Sequence, residues 1–348
     1  MNKAFWMNKK VLITGHNGFK GTWLIKWLDM LGAYTMGIAL EAEPESGIHK
    51  IHLSNRCTQV INDVRNKNTF DMVKEFEPQI VIHLAAQAIV GKAKDNPLET
   101  FETNLMGTVN LLETLRQVDS VKSILIVTSD KVYHNIETTK GYEEESPLMG
   151  SEPYSCSKVC QEQAAKAYYE SYFKDLGVGV ATARASNAFG GGDYHFDRLI
   201  PYLQKCIWEK ESPAIRNPRS VRPWQYVFDL LNGYMMLAEK LYEEGMTYSG
   251  AYNFGPEKCE LYTVAQIADM ICGKYEATDK QDYYEAGLLF ISSENSNKRL
   301  GWKPLFNVCE GIGETTKAYQ SYFTKGNSNE LYEERINSFE QKSRRNGD

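Results

Sequence analysis

The chain has 348 residues, which at roughly 100–200 residues per domain suggests two domains, or one large α/β unit with an appended lobe. Hydrophobic residues make up 42% of the chain and charged residues 24%, with 26 Gly and 11 Pro, so the composition excludes a disordered or a fibrous protein. The formal net charge of −6 argues against generic binding to nucleic acid or to an anionic membrane surface.

Several other classes are disfavoured by simple patterns. The longest apolar runs have the length of strands, far short of the ~20 residues of a membrane span, and the N-terminal residues lack the apolar region of a secretory signal. The seven cysteines are scattered without a Cys-x-x-Cys pair, so neither a disulfide framework nor a zinc ribbon is indicated. We therefore expect a cytoplasmic protein without a metal site.

Short apolar segments alternate with amphipathic stretches through the first half of the chain. In chain order the pattern predicts a strand at 10–14, a helix at 20–31, strands at 34–40 and 58–61, a helix at 69–76, a strand at 79–84, a helix at 98–116, a strand at 123–128, a helix at 155–174 and a strand at 178–184. Such alternation is typical of an α/β fold with a doubly wound, Rossmann-type parallel sheet covered on both faces.

After residue 184 the alternation weakens, and prolines and glycines divide the chain into what we interpret as shorter pieces. A strand is expected at 252–255 and a helix at 263–272. We predict that 1–185 form the sheet domain, with a return near 225–255, that 186–340 form mainly a smaller C-terminal lobe, and that 341–348 are a frayed tail.

A glycine-rich loop follows the first predicted strand. Gly15, Gly18 and Gly21 are three residues apart and a helix follows, the context in which the backbone turns tightly and helix N–H groups meet a pyrophosphate. Dinucleotide binding is favoured over a plain tight turn. After the second strand comes Glu41, with no Arg or Lys before Lys50, which favours NAD over NADP, although Glu41 could equally be a solvated loop charge.

A tyrosine and a lysine form a candidate catalytic pair. Tyr154 and Lys158 are four residues apart and share one helix face. An ammonium, together with a positive nicotinamide, lowers the pKa of a phenol so that it acts as a base near neutrality. One Tyr-x-x-x-Lys is expected by chance in a chain with 21 tyrosines, so the placement downstream of a strand ending in Thr128-Ser129-Asp130-Lys131 carries more weight. The alternative for Asp130 and Lys131 is a charged turn.

Positive charge is gathered in one segment of the second half. Residues 198–222 contain six basic residues against Glu209 and Glu211. Guanidinium groups suit the oxygens of a diphosphate, and Trp224 or Tyr226 is placed to stack on a base or seal a pocket. The alternative is a solvated basic loop.

These motifs together resemble the extended short-chain dehydrogenase/reductase family. The resemblance runs over roughly the first two-thirds of the chain and includes residues 15–24 (GHNGFKGTWL), 129–133 (SDKVY), 184–201 (RASNAFGGGDYHFDRLIP) and 216–227 (RNPRSVRPWQYV). Within the family, a Ser followed by Asp-Lys is similar to the nucleotide-sugar 4,6-dehydratases that act on CDP-glucose, because those acting on dTDP-glucose carry Asp-Glu there.

The resemblance implies a reaction and a role for each catalytic residue. CDP-glucose would become CDP-4-keto-6-deoxyglucose by oxidation at C4, loss of water across C5 and C6, and return of the hydride to C6. Tyr154 would take the 4-hydroxyl proton while Ser129 holds the oxygen and Lys158 tunes Tyr154. Lys131 would remove the C5 proton, directly or through water, and Asp130 would protonate O6.

The resemblance also implies two binding sets. The NAD-binding set is Gly15, Gly18, Phe19, Lys20, Gly21, Glu41, Asp63, Val64, Leu84, Ala85, Ala86, Gln87, Asn104, Thr128, Tyr154 and Lys158. The set for the nucleotide sugar is Asn187, Arg198, Leu199, Arg216, Arg222 and Trp224, whereas Arg219 could lie at the surface. By family analogy the protein is a homodimer, or a dimer of dimers, joined through helices 98–116 and 155–174, and serves deoxysugar biosynthesis of the kind that supplies O-antigen.

Three alternatives stay open. The chain departs from the CDP-glucose pattern at 88–94, where that branch carries an Arg and a Ser-Tyr pair, so a 4,6-dehydratase for another nucleotide sugar is possible. A nucleotide-sugar 4-epimerase would not need Asp130 and Lys131. A cofactor-sensing binding protein would keep the fold without turnover.

Overall fold

The main sheet is built from seven parallel strands. The structure is a computed structural model, and it describes residues 1–278, 286–326 and 328–345. The strands of the main sheet and of the smaller sheets together, in chain order over the described residues, are β1 (Lys10–Thr14), β2 (Tyr34–Ala39), β3 (Cys57–Ile61), β4 (Ile80–His83), β5 (Ser123–Val127), β6 (Gly179–Ala185), β7 (Asn187–Phe189), β8 (Ala214–Arg216), β9 (Val221–Arg222), β10 (Trp224–Tyr226), β11 (Gly250–Phe254), β12 (Tyr262–Thr263) and β13 (Glu276–Thr278).

The strand order of this sheet is β3-β2-β1-β4-β5-β6-β11. The order reverses between β1 and β4, which pair from Val11 with Ile80 to Thr14 with His83. Loops that leave the carboxyl ends of these two strands diverge to opposite faces, and such a switch point is where doubly wound sheets bind their ligands. The Rossmann-type fold predicted from the alternating pattern is confirmed.

The helices surround the sheet. They are α1 (Lys3–Trp6), α2 (Phe19–Met30), α3 (Asp71–Phe76), α4 (Val90–Asp95), α5 (Pro97–Phe101), α6 (Gly107–Leu115), α7 (Pro153–Tyr168), α8 (Leu199–Glu209), α9 (Val227–Tyr248), α10 (Val264–Ile271), α11 (Glu294–Leu300), α12 (Val308–Lys325) and α13 (Asn329–Arg345). None of the helices in the described residues is long and apolar enough to span a membrane.

Alternate residues of the central strands enter two hydrophobic cores. Ile13 on β1 packs into the core formed with α2 and α9, whereas its neighbour Leu12 packs into the core formed with α3, α6 and α7. Both side chains are fully buried. Because successive strand residues point to opposite faces, a strand covered on both faces reads as a continuous apolar run, which is the signal that located these strands in the sequence.

The predicted elements of the first half agree with the structure to within a residue or two, apart from two long helices. The helix predicted at 98–116 is α5 and α6 separated by a π-helical segment, Glu102–Met106, and the helix predicted at 155–174 ends in a second such segment, Tyr169–Phe173. A π turn inserts one residue per turn and is invisible to a 3.6-residue pattern.

The second half contains a long helix that the sequence interpretation missed. We expected short pieces there, but α9 runs for 22 residues and is apolar on nearly all sides of its first half. It lies against β5 and β6 of the main sheet and against β10. Nearly every residue from Val227 to Leu241 is buried.

The remaining elements form pairs of short strands with helices around them. β7 pairs with β10, β8 with β13 and β9 with β12, while β11 returns to the edge of the main sheet beside β6. We keep the division at 185/186 as a proposal. The tail prediction is wrong for 341–345, which belong to α13, because Lys342 contacts Glu310 and the Phe306 ring there. The rest of the predicted tail, 346–348, lies outside the described residues.

Candidate active site

The glycine loop is shaped by two close backbone contacts. Gly15 has a φ of +72°, and a Cβ on it would lie 2.8 Å from the backbone nitrogen of Ala85, at the end of β4. A Cβ on Gly21 would lie 2.1 Å from the Gly15 carbonyl oxygen. Only glycine allows this turn and this approach of α2 to β1. The first N–H groups of α2, from Phe19 and Lys20, therefore begin at the sheet's switch point.

Three other residues of the predicted NAD-binding set, Glu41, Asp63 and Val64, differ in exposure and in their contacts. Glu41 is exposed just after β2. The carboxylate of Asp63 is engaged by Arg65, whose Nε donates to it over 2.8 Å and whose guanidinium lowers the pKa of Asp63. Val64 is buried, and its Cγ2 atom would lie 2.7 Å from a Cβ added to Gly107. These positions flank the loop, and their roles toward a cofactor remain predictions.

The loop after β4 is fixed by Asn104. Asn104 is fully buried, accepts a hydrogen bond from the Gln87 N–H at 2.8 Å, and donates to the Gln87 carbonyl and to the Ser157 hydroxyl. Asn104 reaches these groups from the π-helical segment between α5 and α6. It ties the segment Leu84-Ala85-Ala86-Gln87 to α7, so Asn104 acts here through positioning.

Ser129, Tyr154 and Lys158 meet at the carboxyl end of β5, as predicted from their placement. All three are buried. Burial raises the pKa of Tyr154 to about 12, against the effect of hydrogen bonding with Ser129. Lys158 Nζ donates to Gln161 Oε1 at 2.8 Å and to the Val127 carbonyl at 3.2 Å. The phenol's pKa is thus shifted upward by the chain itself, opposite to the lowering predicted for an ammonium and a nicotinamide acting together.

A buried lysine, Lys158, and a half-buried one, Lys20, come together at the site. Burial lowers the pKa of Lys158 to about 7, and the charge of Lys20 acts in the same direction while Glu162 opposes it. Lys20, from the start of α2, has its own pKa lowered to about 8 by burial and by Arg198. Its Nζ lies 3.3 Å from the hydroxyl of Tyr234 on α9. Proton transfer near neutral pH is therefore within reach of this cluster.

Asp130 is the most constrained carboxyl group of the site. It is 3% exposed, its Oδ1 accepts from Ser129 Oγ at 3.1 Å, and its Oδ2 has no hydrogen-bond partner among the described residues. Burial raises the pKa of Asp130, although Lys131, Arg222 and Lys20 pull it down. A buried carboxyl group of this kind is suited to hold and release a proton. The alternative of a charged surface turn does not fit its burial.

The structure divides the basic segment of the sequence into two groups. Arg198 and Arg222 lie near the catalytic groups, since the charge of Arg198 acts on Tyr154 and that of Arg222 on Asp130. Arg216 and Arg219 are exposed, and Lys205 pairs with Glu209 along α8. Arg198 and Arg222 are therefore the members of the predicted anion pocket that the structure places beside the catalytic groups, and a role of Arg216 in the pocket stays a prediction.

The substrate-side residues differ in how they are held. Arg198 Nη1 donates to Asp193 Oδ2 at 2.8 Å, and Arg222 Nη1 donates to the carbonyl of Ala286 at 2.6 Å. Asn187 is half-buried on β7, and Leu199 is half-buried at the start of α8. Trp224 is a correction: it is 6% exposed within the hydrophobic core, with its indole N–H on the Tyr262 carbonyl, so it is not placed to stack on a base.

Four buried residues at the site were missed by the sequence interpretation. Tyr234 contacts Lys20, and Asp193 holds Arg198, while Glu162 and Arg184 form an ion pair behind the catalytic segment. Glu162 follows Lys158 by one helical turn, and that spacing is a signal that could have placed it on the same helix face. Tyr234 and Asp193 carry no such local signal. Among the described residues, no cluster of His, Cys, Asp and Glu is arranged to hold a metal ion.

Comparison with known proteins adds three relatives. The chain is 39% identical over 335 residues to a CDP-glucose 4,6-dehydratase of Salmonella typhimurium, covering 92% of this chain and 93% of that protein. Its fold is similar to a dTDP-glucose 4,6-dehydratase of Bacillus anthracis solved in complex with NAD (TM-score 0.78, 23% identity, 90% of this chain and 97% of that one). It is also similar to an epimerase of Methanothermobacter thermautotrophicus (TM-score 0.81, 20% identity, 95% and 96%).

A family model spans most of the chain. The model described as GDP-mannose 4,6 dehydratase matches residues 12–315, which include the glycine loop, the segment from Ser129 to Lys131, and the Tyr154 and Lys158 pair. The fold relatives at 20–23% identity include both a dehydratase and an epimerase, so they establish the architecture. The extent of the family match and the 39% identity establish more: this chain belongs to the GDP-mannose 4,6-dehydratase family of extended short-chain dehydrogenase/reductases.

Proposed function

We propose that this protein is an NAD-dependent hydro-lyase that converts CDP-glucose to CDP-4-keto-6-deoxyglucose. The observation that carries the proposal is Asp130, buried beside Ser129 with one carboxyl oxygen unpartnered, close to Tyr154 and followed by Lys131. An oxidation and reduction at C4 needs only Ser129, Tyr154 and Lys158. An added acid and an added base are what the loss of water requires. The choice of CDP-glucose rests on the 39% identical relative of that name.

The residues of the glycine loop fit a dinucleotide. The contacts of Gly15 and Gly21 leave no room for side chains and draw the loop tight against β1, so the N–H groups at the start of α2 are available to a pyrophosphate. NAD⁺, when bound at this loop, would supply the hydride acceptor for oxidation at C4 and, once reduced, the hydride donor for C6. Two proteins of similar fold, both of them 4,6-dehydratases, have structures solved with NAD bound.

The first step assigned to the chain is removal of the 4-hydroxyl proton. Tyr154 takes this proton in its phenolate form, while Ser129 donates a hydrogen bond to the same oxygen, which becomes the carbonyl oxygen. The phenolate requires positive charge from Lys158 and, when bound, from the nicotinamide, because burial raises the pKa of Tyr154 to about 12. Lys158, whose pKa is lowered to about 7, gains and loses its proton near neutrality and places a positive charge beside Tyr154 when it is protonated. The resulting ketone makes the proton on C5 acidic.

Elimination then uses the two residues that follow Ser129. Lys131, directly or through water, takes the proton from C5, the C5–H electron pair forms the C5–C6 double bond, and the C6–O bond breaks. Asp130 gives its proton to the departing oxygen, so that water leaves rather than hydroxide. Burial raises the pKa of Asp130, which keeps the acid form available for this donation.

The arginines that approach the site suit the diphosphate of the substrate. Arg222 and Arg198 lie near Asp130 and Tyr154 respectively, as their charge effects on those groups show. A guanidinium offers paired donors to phosphate oxygens. Asn187, Leu199 and Arg216 complete the proposed substrate set, whereas Trp224 is withdrawn from it.

We further propose that two copies associate through α5–α6 and α7. These helices pack against one another, and they or their adjoining π-helical segments expose Leu98, Met106 and Tyr172, which are 68%, 44% and 43% exposed. An apolar face of neighbouring helices is suited to a second copy. Light scattering on the purified chain checks this, since a monomeric mass would contradict it. Deoxysugar biosynthesis in the cytoplasm, of the kind that supplies O-antigen, is the proposed setting.

A substrate panel tests the proposed function. The purified protein is offered CDP-, dTDP-, GDP- and UDP-hexoses, and products are identified by mass spectrometry. We expect loss of one water from CDP-glucose and little from the others. Dehydration of a different nucleotide sugar would overturn the substrate, a product of unchanged mass with an inverted 4-hydroxyl would indicate a 4-epimerase, and bound NAD(H) without any turnover would indicate a cofactor-sensing protein.

A further inference from the structure

The catalytic segment Ser129-Asp130-Lys131 is anchored at both of its ends. On its N-terminal side, Thr128 Oγ1 donates to Glu162 Oε1 at 2.5 Å. On its C-terminal side, the Tyr133 hydroxyl accepts from Arg184 Nη1 at 2.9 Å. Both anchors are side chains of the segment that follows β5, and both bind to members of one buried ion pair.

The ion pair itself is fully engaged. Arg184 Nε donates to Glu162 Oε1 at 3.0 Å and Arg184 Nη2 to Glu162 Oε2 at 2.9 Å, and both side chains are 5% exposed. Thr182 Oγ1 also donates to Glu162 Oε2, at 2.7 Å. Glu162 lies on α7, which carries Tyr154 and Lys158, and Arg184 lies on β6. The pair therefore connects the two halves of the catalytic machinery.

A second layer holds the Tyr133 anchor. Its hydroxyl donates to Asn253 Oδ1 at 2.6 Å, and Asn253 Nδ2 donates to the carbonyls of Tyr142 and Ser292 at 2.9 and 3.0 Å. Burial raises the pKa of Tyr133, so the phenol stays a neutral donor and acceptor. Each polar side chain in this series of hydrogen bonds, which runs from Glu162 through Arg184 and Tyr133 to Asn253, has a partner.

We propose that the Glu162–Arg184 ion pair, with Thr128 and Tyr133, positions Ser129, Asp130 and Lys131 against Tyr154 and the substrate. This inference rests on the proposed dehydratase activity. A buried ion pair adds little net stability compared with apolar residues of similar size. Its directional bonds instead fix the register of the segment, and a displacement of about 1 Å in a catalytic group is enough to lower a rate by orders of magnitude.

The test compares two tyrosines that stack on each other. Tyr133→Phe removes the hydroxyl that accepts from Arg184. Tyr142→Phe is the matched control, because Tyr142 is equally buried and its ring lies 5.3 Å from that of Tyr133, but its hydroxyl donates to Asn135 Oδ1, outside the ion pair. We expect Tyr133→Phe to lower kcat by at least about tenfold with KM within twofold of the original, and Tyr142→Phe to change kcat by less than about twofold.

Two further readouts separate positioning from mere loss of stability. The acid and base steps should suffer more than C4 oxidation, so enzyme-bound NADH, seen by its absorbance in steady state, should accumulate in Tyr133→Phe. Thr128→Val should behave like Tyr133→Phe, and Thr128→Ser, which keeps the hydroxyl that donates to Glu162, should lose less of kcat than Thr128→Val does. Wild-type kinetics and wild-type NADH levels in both Tyr133→Phe and Thr128→Val would overturn the proposal, as would equal losses in Tyr142→Phe.

Hydrogen exchange makes the outcome independent of activity. The amides of Lys131 and Val132, which bond to the side chain and carbonyl of Ser129, should exchange faster in Tyr133→Phe and Thr128→Val than in Tyr142→Phe and Thr128→Ser. Unchanged exchange at these amides would overturn the positioning role. Absence of turnover by the wild-type chain on every nucleotide sugar would instead overturn the proposed function, with the exchange result still deciding the inference.

Discussion

The two sides of the candidate site are built in different ways. On the cofactor side, the loop from Gly15 to Gly21 is shaped by backbone against backbone, with contacts that exclude any Cβ. On the chemical side, Ser129-Asp130-Lys131 is held by side chains that come from α7, β6 and β11. The comparison teaches that the first side tolerates no added atom, whereas the second depends on charges and hydrogen bonds that can be removed one at a time.

The largest expected effect comes from filling the backbone contact. Gly21→Ala would place a Cβ 2.1 Å from the Gly15 oxygen, so we expect α2 to move off β1 and NAD binding to weaken by at least about a hundredfold. Gly313→Ala is the control, because a Cβ there meets nothing within 4 Å and a helical Gly→Ala change stabilises by up to about 1 kcal/mol. Calorimetric titration with NAD and thermal unfolding measure both; unchanged NAD affinity in Gly21→Ala would contradict the backbone account.

On the chemical side, removal of one proton donor should separate the steps of the reaction. Asp130→Asn keeps the size of the side chain but cannot protonate O6, so we expect turnover to fall by about 10²- to 10⁴-fold. Oxidation at C4 should persist, and the enzyme should collect as its NADH form. Stopped-flow absorbance with CDP-glucose measures both quantities. Turnover within a few-fold of the wild type would remove Asp130 from the mechanism.

The division of the basic segment predicts unequal arginines. The positive charge of Arg222 lowers the pKa of Asp130, whereas Arg219 is exposed. A charge-assisted hydrogen bond contributes about 1.5–3 kcal/mol, so Arg222→Gln should raise KM for the nucleotide sugar by roughly tenfold or more, and Arg219→Gln should leave it unchanged. Steady-state kinetics at saturating NAD provide the comparison. Equal effects at the two positions would favour a solvated basic loop over a built anion pocket.

The smallest effect is on the pH dependence of stability. The pKa of Lys158 is about 7 in the folded chain and about 10.4 in an unfolded one, so between these values only the unfolded chain carries the proton. Stability attributable to this group therefore rises with pH from about 7 to 10. Lys158→Met should reduce the slope of the free energy of unfolding against pH by up to the contribution of about one bound proton. Urea unfolding at several pH values measures it, and an identical slope in both proteins would show that Lys158 is not held in its buried state.

The sequence predicts the glycine turn and the central strands well because their signals are local. Glycines three residues apart between a strand and a helix locate the turn, and the continuous apolar runs locate β1, β2 and β4 to β6. Ser129, Tyr154 and Lys158 are found because each follows a recognisable strand or spacing. The family resemblance supplies the remaining roles, such as that of Asp130.

What the sequence does not predict depends on long-range packing. Arg184 and Asn253 reach Tyr133 from strands 51 and 120 residues away in the chain, and no local pattern pairs them. Trp224 is misassigned because an aromatic residue in a basic segment is compatible both with stacking and with the core. The long helix α9 is missed because the prolines and glycines of this half were interpreted as breaks that divide the chain into short pieces.

The most direct test of the central claim is the fate of the C5 hydrogen. CDP-glucose is incubated with the purified protein and NAD in D₂O, and the product is examined by NMR. We predict a 4-keto-6-deoxy sugar that carries deuterium at C5, because the C5 proton is removed in the elimination and replaced from solvent. A product that retains hydrogen at C5 and its 6-hydroxyl would contradict the dehydratase account.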